Sequence, residues 1–412
     1  MHFHFSFYSS ILLIFFTQGI IFTFLLVKRG ISELDKSSVL LGFFTFLCSL
    51  YILPWMLGHA GWYSLQPYRD IMFYLPLQQL FLIGPVIYFY TKSLLYPSFK
   101  FDMKDFLHLI PFCLYSIYSL IVYVTDKLVL HQYYFYLNGR DKDLDPWYQI
   151  SGLVSMIIYF LLSLKTYNEY KKMIFDNLSF ADLVLFDWIK KYLIAFLGMQ
   201  FLRIIFFLVF PGWGNFIQNW WYFLLFSALF YYVAISSLLQ KGINVSAFNV
   251  KHFESIIENH VTIEPVESSK VMMTSKVKLD KTNDQNYIDP TVLELWKNKI
   301  ETFIESQKLY QNPLLNLNDV ASGLQTHPTQ ISRMINQGFK LNFNDFINNY
   351  RVEAVIEMLK KNEHKRKTLL GIAYDCGFNS KTTFNRSFKK NTNISPKNYI
   401  EELENCKNLN QN

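Results

Sequence analysis

Apolar positions fall into two regimes along the chain. Up to about Leu239 they form runs of about twenty residues, each long enough for a helix to cross a ~30 Å hydrocarbon core. Beyond that point they recur at intervals of three and four among polar residues, the spacing of one buried helical face. Seven runs stand out: Tyr8–Val27, Ser38–Leu57, Met72–Leu94, Asp105–Val124, Tyr148–Thr166, Ile189–Phe210 and Ile217–Leu239. The pattern predicts an all-α chain. A seven-helix transmembrane bundle occupies residues 1–240, a polar stretch 241–289, a helical domain 290–405 and a disordered tail 406–412.

Within the polar stretch, Phe248 to Ile263 carries Phe253, Ile256 and Ile257 on one face and predicts an amphipathic helix. The remainder has neither period nor aromatic content and reads as a flexible tether. Asp289 and Pro290 then open a helix bearing Leu293, Trp296, Ile300, Phe303 and Ile304. It is expected to pack either as the leading element of the last domain or as the contact of a homodimer.

The last domain contains two similar units. In the second, Thr368 to Tyr399, Thr368 caps a short helix with Ile372 and Ala373 inside, and Gly377 makes the turn where a side chain would crowd the chain. Asn379 and Ser380 offer the next cap, and Phe384 and Phe388 lie on one inward face. The outward stripe, Lys381, Thr382, Asn385, Arg386 and Lys389, is cationic and hydrogen-bonding and lacks a carboxylate, as a major-groove reader requires. In the first unit, Leu315 to Phe339, Asn316 and Asp319 form a cap, Pro328 starts the second helix, and Thr329, Ser332, Arg333 and Asn336 face outward. A connecting helix with Phe343, Phe346, Ile347, Tyr350, Ala354, Val355 and Met358 in helical period separates them. At 1.5 Å per residue it spans roughly 28 Å, comparable to one DNA turn of ~34 Å.

Two tandem helix-turn-helix units on such a helix, closed by the GF…F…F…SPKNY pattern, resemble the AraC family of bacterial transcription regulators. The resemblance covers about Asn312 to Glu402. It implies base-facing roles for Thr329, Ser332 and Arg333, then Lys381, Thr382, Asn385 and Arg386, which overlap the stripes read from spacing. Two positions depart from the family pattern: Asn393 replaces a glycine, and Ile400 replaces a frequent basic residue. Asparagine tolerates the left-handed conformation, so the turn is expected to survive. The soluble sensing domain found in many members has no counterpart here.

Composition sharpens this division. A content of 51% hydrophobic and 18% aromatic residues excludes an ordinary soluble chain, and the excess lies almost entirely in the first part. Short-loop cations then set the orientation. Lys28, Arg29 and Lys36, then Lys92, Lys100 and Lys104, then Lys165, Lys171, Lys172, Lys190 and Lys191 occupy alternate connections. The intervening connections hold Arg69, then Lys127, Arg140 and Lys142 among four aspartates, and none in Pro211–Phe216. The N-terminus is therefore expected outside the cytoplasmic membrane and the C-terminus inside, with the DNA. The first run has no Lys or Arg before it and is expected to remain as an anchor.

Intramembrane polar residues define a candidate ligand pocket: Gln78, Gln79, Gln200 and Arg203, with Gln218, Asn219, Trp220 and Trp221 at the outer end of the last run, where it begins. The competing interpretation is structural, with glutamines tying helices together and Arg203 snorkelling. Cys48, Cys113, Cys376 and Cys406 show no metal-ligand spacing, and His2 and His4 lack a third ligand. The spans carry no His-Glu-x-x-His, phosphate loop or nucleophile elbow. No catalytic residue, cofactor or metal is expected. The expected partners are double-stranded promoter DNA, membrane lipid, a second copy of the chain and an unidentified extracytoplasmic ligand. Two other readings stay open: a membrane enzyme or transporter with a self-regulating tail, and a tail that binds protein.

Overall fold

The computed structural model describes residues 4–96, 98–209, 216–239 and 289–409. Among them the secondary structure is helical apart from an isolated antiparallel bridge between Leu178 and Asn316. The chain divides into two compact units, Met1–Asn168 with Phe186–His260, and Glu169–Leu185 with Val261–Asn412. The tether expected over 241–289 lies outside the described residues except for Asp289, as do residues 210–215.

In the first unit, α1 (Phe7–Ser32) and α2 (Lys36–His59) form a hairpin whose turn ends on the carboxylate of Asp35, which accepts from the N–H groups of Ser37 and Ser38. The helices lie close. A Cβ at Gly19 would stand 2.1 Å from Ser49 Oγ, so a side chain there would have to displace the buried Ser49 hydroxyl.

The third expected span is not one helix. It divides into α3 (Tyr68–Tyr74) and α4 (Leu80–Leu95), separated by Leu75–Gln79. Pro76 has no N–H and disfavours the helical region for the residue before it, and Leu75 is accordingly extended at φ −93°, ψ 114°. The freed backbone groups find side chains. Gln78 N–H donates to the Asp143 carboxylate at 3.0 Å, Leu80 N–H to the Tyr148 hydroxyl at 3.2 Å, and the Gln78 carbonyl accepts from that hydroxyl.

The fourth expected span begins as a 3₁₀ turn (Met103–Leu109), continues as α5 (Ile110–Tyr123) and ends in a π-helical turn (Val124–Val129). Next come α6 (Pro146–Asn177), the short α7 (Ala181–Val184), α8 (Asp187–Val209) and α9 (Phe216–Leu239). Among the described residues, five helical segments are long and apolar enough to cross a membrane: Phe7–Ser32, Lys36–His59, Met103–Val129, Pro146–Asn177 and Asn219–Leu239. Leu80–Leu95 is apolar but shorter. The third expected run is thus divided at Pro76, while α8 carries Asp187, Lys190 and Lys191 in its first turns and Arg203 within its apolar stretch.

The second unit has two small cores strung on one helix. Asp289 caps α10 (Pro290–Ser306) by accepting from Thr291 N–H. α10 packs Ile300 and Ile304 against α11 (Leu317–Gly323) and α12 (Pro328–Gly338), as a leading element of the first core. α13 (Phe343–Lys360) gives Phe343, Phe346 and Ile347 to that core and Val352, Val355 and Leu359 to the next. The second core is completed by α14 (Leu369–Asp375), α15 (Lys381–Thr392) and α16 (Pro396–Leu409). Because α16 runs to Leu409, the tail expected to be disordered from residue 406 begins as helix.

Candidate nucleic-acid interface

Both helix-turn-helix units are set by side-chain caps and tight turns. Asn316 and Asp319 exchange bonds in a capping box, the Asn316 side chain accepting from Asp319 N–H at 3.1 Å and the Asp319 carboxylate from Asn316 N–H at 3.0 Å. In the second unit Thr368 accepts from Gly371 N–H, and Ser380, rather than Asn379, accepts from Thr383 N–H at 3.0 Å. The Asn379 amide instead donates to the Pro313 carbonyl. Gly377 sits at φ +92°, with the Tyr310 carbonyl oxygen 2.2 Å from where a Cβ would lie. The matching turn of the first unit is made by Gln325 at φ +52°. Asn393 closes α15 at φ +64°, the left-handed conformation expected of it.

These turns aim two helices outward. On α15, Lys381, Thr382, Asn385, Arg386 and Lys389 are exposed, whereas Thr383, Phe384, Ser387 and Phe388 are buried. On α12, Thr329 and Asn336 are exposed, Ser332 and Arg333 half-buried, and Ile331, Met334 and Ile335 form the inner face. The Thr329 hydroxyl lies 2.8 Å from His327 Nδ1, which caps α12. Asn336 donates to Ser332 at 3.4 Å. Lys390 reaches back to the Asp345 carboxylate at 2.7 Å, so α15 is pinned to the first turn of α13. Cys376 is core: burial pushes its thiol up to about 11, and Asp375 adds to the shift.

Between α12 and α15, α13 carries a polar face that the hydrophobic pattern did not disclose. Asn344, Asn348 and Arg351 recur at i, i+4 and i+7 and are all buried. Arg351 makes five bonds with no carboxylate among them: to the carbonyls of Tyr310 and Asn312, to Asn348 Oδ1, and to the carbonyl and hydroxyl of Ser179. Burial drives its pKa down to about 9, the cost of holding a guanidinium among neutral acceptors. The signal in the sequence was those three polar residues on one helical face.

In the first unit, the four intramembrane candidates divide. The Arg203 guanidinium is buried, donates to Tyr51 OH and to Gln149 Oε1 at 2.8 Å, and lies 4.3 Å from the centroid of the Tyr222 ring. Gln149 in turn donates to Gln78 Oε1, and Gln78 Nε2 donates to the Tyr51 carbonyl. Arg203 and Gln78 therefore belong to one network, joined through Gln149, Tyr51 and Tyr222, which sequence reasoning did not name. Gln79 and Gln200 do not join it: Gln79 bonds the Pro76 carbonyl and Gln200 contacts Met156 Sδ at 3.9 Å. A cavity of about 180 Å³ opens beside Arg203, lined by Met199, Asn219, Trp221 and Tyr222 among others.

Residues 320–402 match the helix-turn-helix domain family. The chain is also similar to YijO of Escherichia coli (strain K12), described as an uncharacterized HTH-type transcriptional regulator, with 25% identity over 178 residues. That match covers 39% of this chain and 62% of the relative, so the chain spans less than two thirds of the length of that relative. No solved structure matches the chain.

Proposed function

We propose, proceeding from the match of residues 320–402 to the helix-turn-helix domain family and from their resemblance to AraC-type regulators, that this chain is a DNA-binding transcription regulator that works from a membrane. In this reading the apolar helices anchor the chain in the cytoplasmic membrane, α12 and α15 enter successive major grooves of a promoter, and the first unit senses or tethers. One observation carries the DNA half. Two outward stripes, rich in hydrogen-bonding and cationic side chains, stand on helices fixed to a single 18-residue strut of roughly 27 Å. Thr329, Ser332, Arg333, Lys381, Thr382, Asn385 and Arg386 are the proposed base-facing residues, and Lys389 a phosphate contact.

Support for the membrane half is the low burial of long apolar helices. α1 exposes Ile14, Ile21 and Phe24 each by more than half of its surface, an arrangement that water would penalise and lipid would not. The network around Arg203 supports a site for an anionic or polar extracytoplasmic ligand beside it, because charged groups at that depth are costly to retain. The loop cations supply the orientation, N-terminus outside and C-terminus in the cytoplasm.

The test is genome-wide occupancy of the full chain against a chain lacking residues 1–245. Discrete promoter peaks whose occupancy or response depends on the membrane part support the reading. Identical peaks and identical response from both chains would remove any role for the first unit beyond expression of the second.

A further inference from the structure

The second unit is not made only from the C-terminal residues. It includes Glu169–Leu185, the last turns of α6 together with α7 and the connection towards α8. Its attachment is specific. Leu178 pairs with Asn316 in the antiparallel bridge, Ser179 N–H donates to the Leu315 carbonyl at 3.1 Å, and Asn344 donates to the Leu178 carbonyl at 3.1 Å. Arg351 closes on Ser179 from below, 3.2 Å from its carbonyl and 2.9 Å from its hydroxyl. Leu178, Ser179 and Ala181 are fully or almost fully buried. The contact lies where the first helix-turn-helix unit meets the strut. Without the segment, two of the five acceptors of a buried guanidinium would be missing, so the helices are built to receive it.

The same segment reaches the second reading helix. Asp182 Oδ1 accepts from Arg386 Nη1 at 2.5 Å, with Asp182 largely buried and Arg386 less so, and the Arg386 guanidinium lies 5.7 Å from the centroid of the Phe175 ring. A carboxylate and an aromatic face thus satisfy the side chain that, on the reading above, contacts a base. We propose that the 175–182 segment is a built-in ligand of the DNA-binding unit, holding Arg386 with Asp182 in competition with DNA. This rests on the assignment of Arg386 to the DNA interface. A carboxylate offers the guanidinium the same charge-assisted, acceptor-only partner that a guanine edge or phosphate offers, so it cannot serve both at once. The segment is continuous in the chain with α6 on one side and α8 on the other. A change in either helix therefore reaches Asp182 along the backbone and, through its ion pair, the proposed base-reading Arg386.

The test is a double-mutant cycle in the full chain held in lipid nanodiscs. The probe is a duplex of about 40 bp, selected for tight binding from a random pool, long enough for two readers one turn apart. Arg386→Ala weakens binding. Asp182→Asn, which keeps the shape and removes the charge, tightens it about two- to fivefold, and that gain disappears when Arg386→Ala is also present. Three results overturn the inference: no tightening by Asp182→Asn, weakening by it, or an equal gain with and without Arg386, which would reflect only one less negative charge near DNA. If Arg386→Ala leaves binding unchanged, the assignment of Arg386 to the DNA interface is what has failed, and the inference goes with it.

Discussion

Gly377 on the turn of the second helix-turn-helix unit packs against the carbonyl of Tyr310: a Cβ there would stand 2.2 Å from that oxygen and 2.9 Å from the α-carbon of Gln311. The turn is thus locked to the short connection after α10 as well as to its own helices. Gly377→Ala is expected to cost about 2–4 kcal/mol, the sum of a left-handed backbone forced on a side-chain residue and an overpacked contact. Hydrogen exchange of α14 and α15 amides reads it. Unchanged protection would mean the contact yields easily.

The first helix-turn-helix unit makes the same turn with a residue poorly suited to it. Gln325 stands at φ +52° without glycine's freedom. Gln325→Gly is expected to stabilise this turn by up to about 1 kcal/mol, read as slower exchange of α11 and α12 amides. Faster exchange would show that the Gln325 side chain contributes more than its backbone conformation costs.

Arginines and lysines on the readers should separate by role. Arg333→Ala and Arg386→Ala are each expected to weaken specific binding by about 1–3 kcal/mol and relax preference at one base position. Lys389→Ala should weaken all sequences alike and lower the slope of log affinity against log salt by about one. Lys390→Ala should change that slope less, because Lys390 is engaged by Asp345. Equal effects of all four changes on selected and random DNA would place the reading face elsewhere.

A pH dependence is built into the connection before α6. Burial lifts the Asp143 carboxyl from its ordinary value of 3.8 to about 6, against the hydrogen bonds from Tyr115 and the Gln78 N–H that favour the charged form. Asp141, two residues away, is raised as well, by burial and by Asp143. A carboxyl that binds its proton more tightly folded than unfolded adds stability that is full below the unfolded value and lost as pH rises through the folded one. The melting temperature of the purified chain is therefore expected to fall between pH 4 and about 6–7. Asp143→Asn should flatten that fall, and a slope identical to the wild type would exclude Asp143 as its source.

Local features were the legible ones. The caps at Asn316, Thr368 and Ser380, the turn at Gly377 and the inward Phe384 and Phe388 follow from spacing over a few residues, and the structure has each of them. The break at Pro76 was visible in the same way, but the surrounding apolar run hid it, since hydropathy averages over a window that one proline scarcely moves. What spacing could not supply was pairing across the chain. Gln78 meets Asp143 across 65 positions and Arg351 meets Ser179 across 172. Each residue alone is an unremarked polar side chain. Only the fold reveals that the buried face of Asn344, Asn348 and Arg351 exists to hold another part of the chain.

On the proposed function, α12 and α15 read two successive major grooves as a rigid pair. Hydroxyl-radical and methylation footprinting of the full chain on a selected duplex tests it directly. Two protected major-groove segments are expected on one face of the DNA, about 10 bp apart, with Arg333→Ala opening one and Arg386→Ala the other. A single protected segment, or two segments that both respond to the same substitution, would contradict it.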